Sequence, residues 1–503
     1  MRSTISVIAV TFTLILSTAV APALRGGAAP VEKPNIVFIL TDDQTLADIG
    51  SMPKVQALLA ARGVSFSNYF VSYALCCPSR SSILRGQYAH NTGVRGNVPP
   101  LGGFETFHAR GDEASTIATW LRAAGYRTGY FGKYLNGYPR SVSPTYVPPG
   151  WDEWDSPAGG NPYFNFNYRM NENGSIVAYG SSPEDYLTDV LARKAVAFIH
   201  QGSRPFFIHL ATYAPHMPAT PAPRYRQAPV AATAARSPSF NEPDVSDKPS
   251  WLRGVSPLTP RQIAAIDFVY QRRLRSLMAV DDLVAAVVDA LRASGQLERT
   301  YIFFSSDNGF HFGDHRLLLG KNTAYEEDIS VPLIVVGPGV PAGRTVPHLA
   351  LNIDLAPTWA DLAGAAPPAF VDGRSLRPLL RSTLPPLDRW RQSVLIEHWA
   401  QERAEEAETD GGTSPPPVAP RRGFTRGVPT LAALRTRDYI YIEYATGDRE
   451  LYDLRQDPFE LQNLITSAPP PFLAAAGTRL TALKQCAAGT CRSAEDAPVP
   501  MPK

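Results

Sequence analysis

Asn35-Ile36-Val37-Phe38-Ile39-Leu40-Thr41-Asp42-Asp43 is an apolar run that ends in two carboxylates. A short run rich in β-branched and aromatic residues reads as a strand. Comparable runs recur at Thr128–Phe131, Pro205–Leu210, Thr300–Ser305, Val331–Val336 and Ser393–Ile396. Helical patterns lie between them. Ser115–Ala124 is one, and Pro260–Ala293 is another. In the second, Leu274, Leu277, Met278, Val280, Leu283, Val284, Val287, Val288 and Leu291 recur at helical spacing, which predicts a core-facing stripe. Strands alternating with helices predict an α/β fold on a large, mostly parallel sheet flanked by helices. Leu434–Tyr444 and Glu450–Leu454 read as strands of a smaller terminal sheet, and Pro471–Leu483 as a closing helix. The predicted organisation is a catalytic domain over 32–400, a flexible loop over 401–430 and a C-terminal α+β subdomain over 431–503. Pro229–Val255, rich in Pro, Ser and Asp, reads as a second loop.

The 503 residues suit two or three ordinary domains, or one large α/β domain with an appendage. A formal net charge of +2 gives no polyanion-binding surface, so no nucleic-acid partner is expected. Arg2, the apolar run Ile5–Leu16 and the small residues around Ala19–Ala23 read as a signal peptide over 1–23. That run is short for a membrane span, and no other is long enough. The expected location is secreted, periplasmic or extracellular, without stable membrane insertion. Cys486 and Cys491 bracket a short loop that an exported chain can close as a disulfide. Cys76 and Cys77 are adjacent, and a bond between them would be strained.

Four strand candidates end in reactive polar groups. Leu40 leads to Asp42 and Asp43, Phe304 to Asp307 and Asn308, Phe131 to Lys133, and Leu210 to His216. Ligands of open α/β sheets gather beyond the carboxyl ends of strands. Asp42, Asp43, Asp307 and Asn308 are hard oxygen donors, which suit Ca²⁺, or Mg²⁺, better than zinc or copper. Singly, each reads as a helix cap or turn residue. Together, each just after an apolar strand, they point to a metal site.

Cys76-Cys77-Pro78-Ser79-Arg80-Ser81-Ser82-Ile83-Leu84-Arg85-Gly86 resembles the sulfatase signature Cys-x-Pro-Ser-Arg-x-x-x-Leu-x-Gly. The strand-end segments are similar to that family's site segments, Lys321 included. Leu351–Thr358 and Glu450–Leu454 resemble family stretches outside the site. Gly132-Lys133-Tyr134-Leu135-Asn136, with Cys77 after Cys76, is most similar to the N-acetylglucosamine-6-sulfatase and heparan endosulfatase branch.

The resemblance implies an alkaline-phosphatase-like fold that hydrolyses sugar or aryl sulfate esters. It implies that a formylglycine-generating enzyme oxidises Cys76 to an aldehyde, whose hydrate attacks sulfur. Cys76, Asp42, Asp43, Asp307 and Asn308 would then hold the metal. Arg80 would hold the modified residue and neutralise the site. Lys133 and Lys321 would balance sulfuryl charge. His216, with Lys321, would protonate or polarise the leaving oxygen. Ser79 would serve recognition by the modifying enzyme and the turn. Many sulfatases carry a histidine two residues after the lysine equivalent to Lys133, where this chain has Leu135. That leaves His311 and His90 as candidates for the base that releases sulfate. Glu397 and His398 are candidates for substrate contact or for surface positions. Rival readings are a phosphonate or phosphodiester hydrolase using the same site, a non-catalytic carbohydrate-binding homologue, and a thiol hydrolase using unmodified Cys76.

Overall fold

The computed structural model describes residues 4–11, 33–400 and 427–499. Of the predicted signal peptide only 4–11 fall among these, and they form no regular element and are exposed. Residues 401–426 of the predicted loop lie outside them.

The strands are β1 Asn35–Thr41, β2 Val64–Phe66, β3 Tyr69–Phe70, β4 Arg127–Gly132, β5 Glu153–Gly160, β6 Tyr168–Glu172, β7 Ser175–Tyr179 and β8 Phe206–Ala211. They continue as β9 Thr300–Ser306, β10 Leu333–Val336, β11 Arg344–Val346, β12 Ala350–Leu351, β13 Ser393–His398, β14 Leu431–Thr436, β15 Tyr439–Tyr444 and β16 Arg449–Asp453. Ten of them form one mixed sheet in the order β11-β2-β10-β9-β1-β8-β4-β5-β6-β7. Its centre, β9-β1-β8-β4-β5, is parallel throughout.

Strand β1 is buried along its whole length because both sheet faces are covered. Ile36, Phe38 and Leu40 face one core, where Phe38 meets Trp359 of the helix Leu355–Leu362 with centroids 4.7 Å apart. Val37 and Ile39 face the other, beneath the helices Leu187–Ile199 and Pro260–Ala293. The predicted long helix thus forms with its apolar stripe inward.

Register levels the strand ends. Leu40 lies opposite both Ala211 and Ser305, and Gly132 opposite Ala211. Backbone bonds carry the ladder one step further. Asp307 N donates to Thr41 O at 3.1 Å, Thr212 N to Leu40 O at 2.9 Å and Lys133 N to Ala211 O at 2.9 Å. Four chain segments therefore leave the sheet side by side. Gly132 permits this closeness: at its φ of +110° a Cβ would sit 1.8 Å from the Ala211 carbonyl oxygen.

One strand placement needs correction. Ser393–His398 does not join the parallel sheet. It pairs antiparallel with β14 in the small sheet β13-β14-β15-β16. The short run Ser393–Ile396 read from the sequence does not reveal its partner, and this partner lies beyond a long connection. The predicted break at 400/401 falls between these two paired strands. Val394, Leu395, Ala433 and Leu434 share a core with Ile36 and Phe38, so the described residues on either side of 401–426 belong to one compact unit. Strands β5–β7, absent from the sequence reading, extend the large sheet, and Trp154 stacks on Tyr130 with centroids 4.8 Å apart. Cys486 and Cys491 form the predicted disulfide, while Cys76 and Cys77 are buried and not disulfide-bonded. Among the described residues, no helix is long and apolar enough to cross a membrane.

Candidate active site

The helix Cys76–Arg85 aims its amino end at the strand-end row, with Cys76 as its first residue. Cys76 through Leu84 are all buried. The unsatisfied amides of a helix start favour negative charge there. The helix stops at Gly86, in the left-handed region at φ 67°, whose N–H donates to Ser82 O at 2.8 Å. Asn352 Nδ2 donates to Ser79 Oγ at 2.9 Å, and Cys77 N to Asn97 Oδ1 at 2.9 Å. These bonds pin the helix start from both sides.

Cys76 Sγ lies 3.5 Å from Asp42 Oδ1 and 4.0 Å from Asp43 Oδ1. Lys321 Nζ reaches both Cys76 Sγ at 2.7 Å and Asp43 Oδ1 at 2.6 Å. Lys133 Nζ binds Asp42 Oδ2 at 2.7 Å. Arg80 Nε binds Asp307 Oδ2 at 2.8 Å, and a second guanidinium nitrogen donates to Lys133 O at 2.8 Å. Asp43 N donates to Asp307 Oδ1 at 3.0 Å, and Asn308 Nδ2 to Asp43 Oδ1 at 2.7 Å. His216 Nε2 lies 3.7 Å from Asp43 Oδ2, while its Nδ1 pairs with Met217 O at 2.7 Å. Lys321 and His216 keep 12% and 13% side-chain exposure, against 3% or less for Asp42, Asp43, Arg80, Lys133 and Asp307. The site therefore opens on the side of Lys321 and His216.

Burial pushes the Asp42 carboxyl up, but Lys133, His216, Arg80 and Lys321 outweigh it and hold it well below the usual range. The same contest at Asp43 ends low, with Lys321 as the leading cation. Asp307 is pushed up to about 6, first by burial and then by the Asp42 charge. Burial lowers His216 despite Asp43 and Asp42. Burial raises the Cys76 thiol well above its ordinary value, against the pull of Lys133 and Lys321. In the protein alone, burial therefore favours the protonated thiol.

One donor atom from each of Asp42, Asp43, Cys76 and His216 lies within 4.8 Å of the others. Asn308 Oδ1 is buried without a partner beside Asp43. An orphaned amide oxygen among carboxylates fits a hard divalent cation.

The remaining candidates divide. His90 has both ring nitrogens engaged, Nδ1 with Glu397 Oε1 at 2.8 Å and Nε2 with Cys486 O at 2.9 Å. Glu397 and His398 are buried, and His398 Nε2 meets Val428 O at 3.1 Å. His311 pairs through Nδ1 with Asp328 Oδ1 at 2.9 Å, and its Nε2 is buried and unpaired. Its backbone N–H donates to Gly320 O at 2.8 Å, beside Lys321. Leu135 is buried in the core.

Two groups escaped the sequence reading. Arg273, fully buried on the long helix, donates to the carbonyls of Asp43 and, at 3.3 Å, Pro215. Its signal was a charge at the spacing of the apolar stripe. His209 on β8 is buried among Phe38, Tyr130 and Trp151 with both ring nitrogens unpaired, and burial, then Arg80, holds its pKa far below normal. Its signal was a polar residue inside an apolar strand.

Comparison with protein-family models matches one family, Sulfatase, over residues 34–365. The N-acetylglucosamine-6-sulfatase of Homo sapiens is 36% identical over 493 residues, covering 93% of this chain and 87% of that protein. An arylsulfatase of Chlamydomonas reinhardtii is 34% identical, covering 91% of this chain and 74% of that one. A solved structure holding its substrate D-glucosamine-2-N,6-O-disulfate superposes with a TM-score of 0.67 at 24% identity, covering 90% of this chain and 97% of that one.

Proposed function

The chain belongs to the sulfatase family and hydrolyses sulfate esters, and from that premise we propose that its substrate is a glucosamine-type sugar sulfated at the 6-hydroxyl. The match of 93% of the chain to a protein named N-acetylglucosamine-6-sulfatase carries this reading. We also propose export after cleavage of the amino-terminal signal, and maturation of Cys76 by a formylglycine-generating enzyme.

Asp42, Asp43, Asp307, Asn308 and residue 76 would hold the divalent ion, with calcium favoured by the all-oxygen donor set. Bound there, the ion supplies Lewis acidity toward an oxygen nucleophile at position 76 and toward sulfuryl oxygens. The aldehyde, once formed and hydrated, would supply hydroxyl oxygens at position 76. The chain's own groups do the rest. Arg80 holds Asp307 and lies 3.7 Å from Asp42, so it keeps two ligands oriented. Lys133 and Lys321 hold permanent positive charge, since neighbouring carboxylates raise both despite burial. They therefore stabilise charge gathering on the sulfuryl oxygens. Lys321 and His216 stand at the open side, where the sugar oxygen leaves. With Nδ1 tied to Met217 O, His216 presents Nε2 to that oxygen as the titratable group.

The mass of the peptide carrying residue 76 in active enzyme tests the nucleophile. An aldehyde or its hydrate is expected, and an unmodified thiol in fully active enzyme refutes it. Turnover of N-acetylglucosamine 6-sulfate, an aryl sulfate and a phosphonate ester tests the substrate. The sugar sulfate should have the highest kcat/KM. A preference for the phosphonate would overturn the reading.

A further inference from the structure

A second group of ligand-type side chains lies apart from the residues around Cys76. His315 follows β9, Glu327 belongs to the short helix Glu326–Ile329, and Glu460 follows β16. One donor atom of each lies within 4.8 Å of the others. His315 is 0% exposed and Glu460 1%. Each residue has one atom paired. His315 Nδ1 meets Glu242 Oε2 at 2.7 Å, Glu327 Oε1 accepts from Ser239 Oγ at 3.1 Å, and Glu460 Oε2 accepts from Glu326 N at 2.9 Å. Each also has a buried atom with no partner: His315 Nε2, Glu327 Oε2 and Glu460 Oε1.

The neighbouring acids are satisfied by other means. Glu450 accepts from the hydroxyls of Tyr325, Tyr444 and Tyr452, at 2.8, 2.6 and 2.5 Å. Asp314 accepts from the Ser237 hydroxyl and the Phe312 N–H, each at 3.0 Å. Lys248 spends its protons on Glu242, the Tyr452 hydroxyl and the Glu460 carbonyl. None of these reaches the three orphaned atoms. Glu242 accepts the Nδ1 proton of His315, so Nε2 presents a lone pair. Three buried acceptors then converge with no donor, a costly arrangement unless a cation joins them.

We propose that His315, Glu327 and Glu460 form a second metal site, for a divalent cation of the zinc class. One imidazole and two carboxylates, with water in a fourth position, match tetrahedral zinc, whereas calcium asks for about six to eight oxygens. Glu242 behind His315 is the carboxylate–histidine pair that orients and strengthens such a ligand. The three atoms need to draw together, since ligands at about 2.0 Å from a tetrahedral ion stand roughly 3.3 Å apart. His315 and Glu460 both sit on left-handed backbone, at φ 52° and 54°, as neighbours that must hold them there would require. The site would tie the loop after β9, which carries Lys321, to the segment after β16.

Zinc bound by the full-length mature enzyme, stripped with chelator and refilled with excess calcium, tests the site. Elemental analysis should find one zinc per chain, kept in Asp307→Asn, and cobalt(II) should give the intense visible bands of a tetrahedral site. Glu327→Gln and Glu460→Gln should each weaken zinc binding by about tenfold or more. Zinc should raise the melting temperature of the wild type and not of these variants. No zinc above background in the wild type, with the two glutamates sharing a proton instead, overturns the proposal. So does zinc that disappears in Asp307→Asn, or that persists at full affinity in both glutamine variants. If the glutamine variants do not fold, the wild-type stoichiometry and the Asp307→Asn arm decide.

Discussion

Arg273→Met should cost more than any other single change on the long helix. The guanidinium is fully buried, reaches the carbonyls of Asp43 and Pro215, and lies 3.7 Å from the Asp48 carboxylate, itself 0% exposed. Methionine removes every donor, and with it the guanidinium that lies 4.8 and 5.0 Å from the Phe310 and Phe312 ring centroids. Asp48 then stays buried without its cation, and burial already raises its pKa. Breaking a buried pair this way costs about 3–5 kcal/mol. The freed carbonyls add to this, but they share the same guanidinium, so about 4 kcal/mol is the expected total. Asp43, at φ 67°, loses the anchor on its carbonyl, so calcium affinity should fall by about tenfold or more. Urea unfolding in excess calcium reads the first effect, and calorimetric calcium titration of the folded variant reads the second. Adding Asp48→Asn removes the uncompensated charge and should restore about 1–3 kcal/mol. Arg273→Met with a stability loss below about 1 kcal/mol and unchanged calcium affinity would refute the reasoning.

Cys76→Ala and Asp307→Ala should each abolish sulfate release while far-ultraviolet circular dichroism stays native, and full activity in Asp307→Ala after chelation would remove Asp307 from the metal set. Burial holds the folded-state His398 at about 4, below its ordinary 6.5. Its contribution is therefore fully present above pH 6.5 and is lost as pH falls toward 4, by about 3 kcal/mol in all. His398→Gln should flatten urea midpoints over that window, and an unchanged slope would exclude the assignment.

The strand ends were legible because each pairs an apolar run with a reactive residue. The sheet register that levels Leu40, Ala211, Gly132 and Ser305 then brings those residues together. Less was legible where meaning depends on a partner far along the chain. Ser393–Ile396 reads as one more strand of the large sheet, but its neighbour in space is β14. Arg273 was hidden because it stands in a stripe whose other members are apolar. Arg273, Leu277, Val280, Val284, Val287 and Leu291 recur every three or four residues and are all buried, so the stripe begins with a charge. His90 illustrates the opposite error. In sequence it is a histidine near the signature, yet Glu397 and the Cys486 carbonyl engage both its nitrogens.

Charge balance links these residues to the chemistry. Three buried carboxylates, Asp42, Asp43 and Asp307, face three cations, Lys133, Lys321 and Arg80, each in direct contact. The protein part of the site is therefore close to neutral on its own. A divalent ion added to it leaves a surplus of two positive charges in a place water barely enters. That surplus suits a sulfate ester, which carries one negative charge, and suits the departing sulfate dianion better still. A site with neutral ligands around the same ion would carry the same surplus of two, so the carboxylate–cation pairs set where the charge sits and not its total. Keeping the carboxylates paired to lysine and arginine would give an added ion anionic ligands while fixing Lys133, Lys321 and Arg80 as separate positive groups beside it.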